Sequence, residues 1–429
     1  MGQYPDAMSV DQSTETGSDS SPRIDFDHHS PEYRANWRAI SDDHLARCPV
    51  GRTDAYGGFW VVSDHASLSQ VMRDDATFSS GRNTEDPSDP RQGIVIPPNP
   101  IRQLPLELDP PEYTPYRRLL NPYFSPTAAR EAQPFPEQAV DALLDRVCAS
   151  GRMDLVLDFG NPLPAMATMK LIGLPLDDWH VYAEPMHRVA ATPPSAPDYL
   201  HNVQIMGQLG GAIAAQVPRL RDEPGEGLLS GLAKATVDGR PLPDEEVVTI
   251  ALLVIQGGVH TTTALFAHTM LWLAEHPEQR KRLAADPALW EHATEEFVRV
   301  FPPAMGFART VTRDVVVGGQ QMRAGDRVMM SFAAANRDPA VFPDPDEVRL
   351  DRSPNRHTSF GVGIHRCIGL NHARAWFPLM VRRVFERMPD LVVDRDDAEQ
   401  NESVGVINGF VTLPATFTPS EPLGVPMPD

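Results

Sequence analysis

The run "PDEEVVTIALLVIQGGVHTTTALFAHTMLWLAEHP", residues 243–277, constrains this chain more than any other feature. No proline interrupts it between Pro243 and Pro277, and its apolar residues fall on nearly every side of a helix. The pattern predicts a helix of about 45 Å. Asp244 is its expected N-cap, Glu245 and Glu246 suit the positive end of the dipole, and Pro277 marks the stop. A helix apolar all round must run through the middle of a domain. Its centre is weak, however. Gly257 and Gly258 each cost about 1 kcal/mol relative to alanine, and the hydroxyls of Thr261, Thr262 and Thr263 can compete for backbone carbonyls. Either something large approaches the backbone there, or another helix packs close on the glycines.

Around this helix the chain reads as mostly helical, for example in "TAAREAQPFPEQAVDALLDRVCASG" and "ALWEHATEEFVRVF", with strand-like runs at 57–63 and 315–335. One predominantly α domain with a minor β part fits better than alternating βα units. The apolar share of 41% supports a sizeable core, and the 43 prolines punctuate the helical patterns. Residues 1–24, rich in Ser, Asp and Gly, read as a disordered tail before a single domain over 25–429. The formal charge, 38 − 58 = −20, argues against nucleic acid and anionic membrane as general partners. No run approaches the roughly 20 apolar residues of a membrane helix. Cys48, Cys148 and Cys367 are too few and too scattered for a disulfide framework or a cysteine-rich zinc site. A soluble protein of a reducing, cytoplasmic setting is expected. Cys148 falls on an amphipathic pattern and reads as core, and Cys48 as an ordinary thiol.

Cys367 differs from both. It lies in "HTSFGVGIHRCIGLNHAR", 357–374, among Gly361, Gly363 and Gly369, beside Arg366 and just before a helical pattern. Tight-loop glycines, peptide N–H groups and a helix N-terminus all favour a thiolate there. That makes a ligand or a nucleophile. His365 and His372 flank it and are read as loop and helix residues.

"FGVGIHRCIG" resembles the haem-binding loop of the cytochrome P450 family, with Phe360, Gly363, Cys367 and Gly369 in their motif places. The resemblance implies a triangular, mostly helical, bacterial-type fold in which Cys367 is the axial thiolate of haem b, buried between the long helix and the cysteine loop. Other stretches agree. "EFVR" resembles the family's ExxR, so Glu296, Arg299 and Arg352 would form a structural triad. "LELDPPEYTPYRRLL", 106–120, resembles the helix along the haem edge. It puts Arg117 on a propionate, with Tyr113 where many relatives carry histidine; Arg309 and His357 match further propionate-binding positions. Two or three cations suit two carboxylates. The order of these motifs along the chain fits as well.

In the same family the middle of the long helix faces the oxygen side of the haem. Gly257 and Gly258 would leave room for O2, and Thr261 would contact it. The acid that normally precedes this threonine is His260 here. Three roles stand open for it: a proton relay, which predicts coupling of oxygen consumption to product that changes near neutral pH; a structural contact; or a second iron ligand. The implied activity is insertion of one oxygen atom from O2 into an organic substrate. Electrons would come from NAD(P)H through a separate ferredoxin and its reductase, docking near Arg118, Arg366 and Arg374 on a monomer. A peroxide-using or coupling P450, or a haem sensor without turnover, are the rivals. The pocket is expected to use Ile94, Val95, Ile96, Leu253, Met305, Phe307, Val406, Ile407 and Phe410, all apolar, for a neutral terpenoid or aromatic substrate.

Overall fold

The computed structural model describes residues 21–428 other than 87, 100 and 224. Most of the expected tail therefore lies outside the described residues. Its last residues belong to the folded body: Ile24 N–H donates to Arg52 O at 3.0 Å and Arg52 N–H to Pro22 O at 2.8 Å.

The long helix runs unbroken over Asp244–Glu275. Pro243, not Asp244, takes the cap position, and the Asp244 carboxylate binds Arg221 instead. The helices Pro162–Ile172, Trp179–Ala191, Tyr199–Ala214 and Leu370–Arg387 pack around it. Contrary to the sequence expectation, this helix is long and apolar enough to cross a membrane, with a mean hydropathy of 1.5 over 18 residues, but 72% of that stretch is buried inside the protein. The burial explains the composition.

Its two halves serve different cores. Ile250, Ile255 and Val259 pack with Tyr116, Met169 and Met186, whereas Leu265, Phe266 and Met270 pack with Phe159, Phe297 and Phe377. Residues 257–263, the weak centre, lie where those cores meet.

The β part is a five-stranded sheet in the order Val50–Thr53, Phe59–Val62, Arg327–Ser331, Gly306–Val311, Phe78–Ser79. Phe59–Val62 and Arg327–Ser331 pair in parallel, and the other pairs are antiparallel. The run expected as a strand to 335 stops at Ser331, whose hydroxyl accepts from Ala334 N–H and starts a helical turn.

Glu296 and Arg299, three apart on helix Trp290–Val300, are fully buried. Arg299 donates to Glu296 from Nε at 2.8 Å and Nη2 at 2.9 Å, and Arg352 donates from Nε at 3.0 and 3.1 Å. The two guanidinium groups also bind the carbonyls of Asn336, Pro343, Pro345 and Glu347. The ExxR pair thus fixes the chain that leads into the cysteine loop.

Candidate active site

Cys367 and the centre of the long helix line one cavity of about 370 Å³. The cysteine loop is shaped by two glycines in left-handed backbone, Gly361 at φ +69° and Gly363 at φ +80°. A Cβ on Gly363 would stand 2.7 Å from the Met72 carbonyl, so no other residue fits. Cys367 N–H donates to Phe360 O at 2.7 Å and closes the loop. Cys367 is exposed toward the cavity; enclosure by the surrounding loop pushes its thiol up, opposed by the Gly369 peptide and by the charges of Arg117, Arg374 and Arg366.

Each of the two helix glycines answers to a different cause. Gly257 faces the cavity, and a Cβ there would meet nothing within 4 Å. A Cβ on Gly258 would stand 2.4 Å from Thr168 Oγ1 on helix Pro162–Ile172. The close-packing reading holds at Gly258, while Gly257 opens onto the cavity. Thr261 lines the cavity and donates its hydroxyl to Gly257 O at 2.8 Å, so its lone pairs remain available as acceptors.

His260 is 2% exposed. Its ring lies 5.6 Å from that of His187 on helix Trp179–Ala191. Neither of its nitrogens has a hydrogen bond of good geometry. Burial, reinforced by His187, lowers its pKa to about 3. The imidazole is neutral and packs against His187 at the edge of the cavity, which it also lines.

At one side of the cavity, Arg117, Arg309 and His365 converge. Among the described residues no carboxylate pairs with either arginine. Arg309, 7% exposed, donates to Ala308 O at 3.0 Å, and burial lowers its pKa to about 10. His365 packs 4.3 Å from the Tyr113 ring, and both its nitrogens are buried without partners. Burial first, then the charges of Arg309 and Arg117, lower its pKa to about 3. Two expectations change here. Tyr113 donates its proton to Ile364 O at 2.9 Å in the cysteine loop and accepts from Arg117 at 3.2 Å, so it has no proton for a carboxylate. His357 is absent from this group and from the cavity wall: its Nε2 meets Glu295 Oε2 at 3.0 Å. His365, read from the sequence as a mere loop residue, stands in the place given to His357.

Of the expected wall, Ile94, Val95, Ile96, Leu253, Phe307, Val406 and Ile407 line the cavity. Met305 and Phe410 do not. Ala304 bridges Ile407 and faces inward, so the next side chain, Met305, turns into the cluster of Phe26, Tyr33 and Trp37. Phe410 packs 4.8 Å from the His268 ring. Leu106, Leu171, Val189 and Tyr199 complete the wall; nothing in their local patterns distinguishes them from core. Gln103 donates to Gln256 at 3.1 Å, a neutral polar spot on the same wall. The 93–95 stretch is held by Arg327, which donates to Gly93 O at 2.7 Å and Val95 O at 3.0 Å.

Arg118 and Arg366 are exposed, but Arg374 is committed to Glu295 through two hydrogen bonds of 2.7 Å. Cys148 is buried in the core and Cys48 lies against the Val50 carbonyl. His372 is buried among Phe124 and Trp376.

The donor set fits an iron porphyrin. One thiol opens onto the cavity from a glycine-shaped loop, and two arginines without carboxylate partners stand at its edge, where two propionates would satisfy them.

Comparisons with known proteins agree. A family model described as Cytochrome P450 matches residues 288–417. The chain is 33% identical to pentalenic acid synthase of Streptomyces avermitilis, over 86% of this chain and 91% of that one. It is 30% identical to steroid C26-monooxygenase of Mycolicibacterium smegmatis, over 85% and 91%. Among solved structures, a Mycobacterium marinum cytochrome P450 in complex with pseudoionone superposes with a TM-score of 0.82 at 27% identity, covering 92% of this chain and 99% of that one.

Proposed function

The chain belongs to the cytochrome P450 family of monooxygenases, and from that premise we infer that it inserts one oxygen atom from O2 into a neutral, hydrophobic small or medium molecule, a terpenoid or aromatic compound. The observation that carries this reading is the pairing of Cys367 with a mostly apolar cavity whose wall, among the described residues, holds no aspartate, glutamate or lysine. A cationic substrate would lose its hydration there without an ion partner, and in this reading Arg117 and Arg309 are taken up by the propionates.

In this reading Cys367 holds the haem iron, while Arg117, Arg309 and His365 hold the propionates. Bound haem supplies the activation of O2. The chain's own residues do the rest. Gly257 leaves room beside the helix, Thr261 offers hydroxyl lone pairs to the cavity, and Ile94, Leu253, Phe307 and Val406 orient the substrate and exclude water. Haem b is the form expected, since the loop offers Cys367 but no second cysteine for covalent attachment. Electrons reach the site from NAD(P)H through a separate ferredoxin and reductase, in the cytoplasm, and the protein works as a monomer. The likeness to a pentalenic acid synthase and a steroid C26-monooxygenase supports a hydrophobic substrate without choosing one.

Absorption titration of the ferric protein against terpenes, aromatics, fatty acids and steroids tests the reading. A saturable low-spin to high-spin shift confined to neutral hydrophobic compounds is the expected outcome. A resting spectrum with nitrogen opposite the thiolate, and no shift with any compound, would instead support the sensor. A second reading, peroxide use, gains from the missing acid: His260 faces helix Trp179–Ala191 and leaves no carboxylate beside Thr261. Product formation with peroxide alone, faster than with the electron carriers, would select it.

A further inference from the structure

Glu295 is one residue before the ExxR glutamate, and nothing in the reading above uses it. Its carboxylate touches both ends of the stretch that carries Cys367. Arg374, seven residues after the cysteine, donates to it from Nε and Nη2 at 2.7 Å each. His357, ten residues before the cysteine, meets it at 3.0 Å. Between those ends lies Phe360: the Arg374 guanidinium stands 5.0 Å from its ring centroid, and the His357 ring 5.6 Å. The Phe360 carbonyl in turn accepts the Cys367 N–H at 2.7 Å. One acid therefore closes an 18-residue loop and holds the aromatic ring whose peptide fixes the cysteine.

The contacts are partly shielded, with Glu295 at 22% and Arg374 at 34% side-chain exposure. Burial alone would raise the Glu295 carboxyl, but His357 and Arg374 outweigh it and hold the group at about 2. Bidentate geometry makes this pair far more directional than a surface ion pair. Arg374 also acts on Cys367 electrostatically, so Glu295 balances a positive charge that would otherwise face the sulfur alone.

We propose that Glu295 is a positioning residue for the cysteine thiolate: through Arg374, His357 and Phe360 it clamps the loop shut and sets how much positive charge the thiolate feels. This rests on Cys367 being the iron ligand.

The test uses the haem-loaded full chain and three variants, Glu295→Gln, Arg374→Met and His357→Gln. The readouts are the rate at which the thiolate-ligated ferrous–CO absorption band converts to the thiol-ligated band, and the haem reduction potential. Glu295→Gln is expected to speed conversion at least fivefold and to move the potential upward, since a negative charge is lost while Arg374 keeps its own. Arg374→Met should speed conversion similarly but move the potential downward. His357→Gln should speed conversion about threefold. If the parent shows no thiolate-ligated band, the assignment of Cys367 fails, and the clamp with it. If the parent shows the band and the variants convert within twofold of it at unchanged potential, the clamp alone is overturned; a lowered melting temperature without those changes would mean a purely structural ion pair and would overturn it too. Should Glu295→Gln fail to load haem, the opposite potential shift and faster conversion in Arg374→Met decide the matter.

Discussion

A buried histidine titrates unlike one in water, and His260 shows the consequence for pH. Unfolded, it takes up a proton near pH 6.5; folded, burial and His187 hold it neutral down to about pH 3. Between those values the unfolded chain binds a proton that the folded chain refuses. The neutral side chain's contribution is therefore full above about pH 6.5 and is lost as pH falls, by at most about 1.4 kcal/mol per pH unit. Denaturant titrations at pH 7, 6 and 5 should show a shallower loss of stability for His260→Leu than for the parent; parallel curves would mean that the folded protein protonates this ring. By the same argument, the ratio of product formed to oxygen consumed should not titrate with His260 between pH 6.5 and 8, contrary to what a relay with an ordinary imidazole would give. The neighbouring glycines separate just as cleanly. Gly257→Ala should gain about 1 kcal/mol of stability from helix propensity, yet weaken substrate binding severalfold, because its methyl enters the cavity. Gly258→Ala meets Thr168 Oγ1, and overpacking of about 1–3 kcal/mol should leave the protein less stable than the parent. Urea unfolding of both variants, with substrate titration of the first, distinguishes two glycines that look alike in the sequence.

At the scale of elements, local chemistry made much of the site legible. The long helix carries its own start, its apolar surface and its stop; the cysteine loop carries glycines that only a tight turn and the Met72 contact require; Glu296 and Arg299 share a helix face because they are three apart. What stayed hidden depends on partners far away in the chain. Nothing local to His357 says that it binds Glu295 rather than a carboxylate of the cofactor, and nothing local to His365 says that it stands between Arg117 and Arg309. Met305 stands next to a wall residue, Ala304, but its side chain packs with Phe26, Tyr33 and Trp37, distant partners that nothing local announces. Two element-level predictions follow from those distant partners. Glu296→Gln removes the charge that balances two buried guanidinium groups, and should destabilise the fold by about 3–5 kcal/mol; equilibrium unfolding measures this, and a loss below 1 kcal/mol would mean that the carbonyls around Arg299 and Arg352 suffice. Arg327→Met should act elsewhere. It releases the Gly93 and Val95 carbonyls, loosens the wall around Ile94 and weakens substrate binding about tenfold, an effect of about 1.4 kcal/mol, while the buried carbonyls left unpaired should also lower stability by about 1–3 kcal/mol.

Across the whole molecule the charge is strongly negative at −20, and an acidic electron carrier would be repelled by most of the surface. Association then depends on where the local field reverses sign. Arg118 and Arg366 are exposed, and Arg117, the residue before Arg118, donates to the Arg366 carbonyl at 2.9 Å. Arg117 and Arg366 thus form a basic spot beside which Arg118 follows in the chain. Arg374 adds less than its charge suggests, since Glu295 neutralises it. Screening decides between local attraction and overall repulsion, because the Debye length falls from about 30 Å at 0.01 M salt to about 10 Å at 0.1 M. If the basic spot governs docking, the rate of reduction by an acidic ferredoxin should pass through a maximum as salt rises. Long-range repulsion is screened first, and the short-range attraction weakens only at higher ionic strength. Arg118→Gln should lower that maximum severalfold while leaving the substrate-induced spectral shift unchanged, as rim charges act on association more than on the site behind them. A rate that climbs steadily with salt in both proteins would place the carrier elsewhere on the acidic surface.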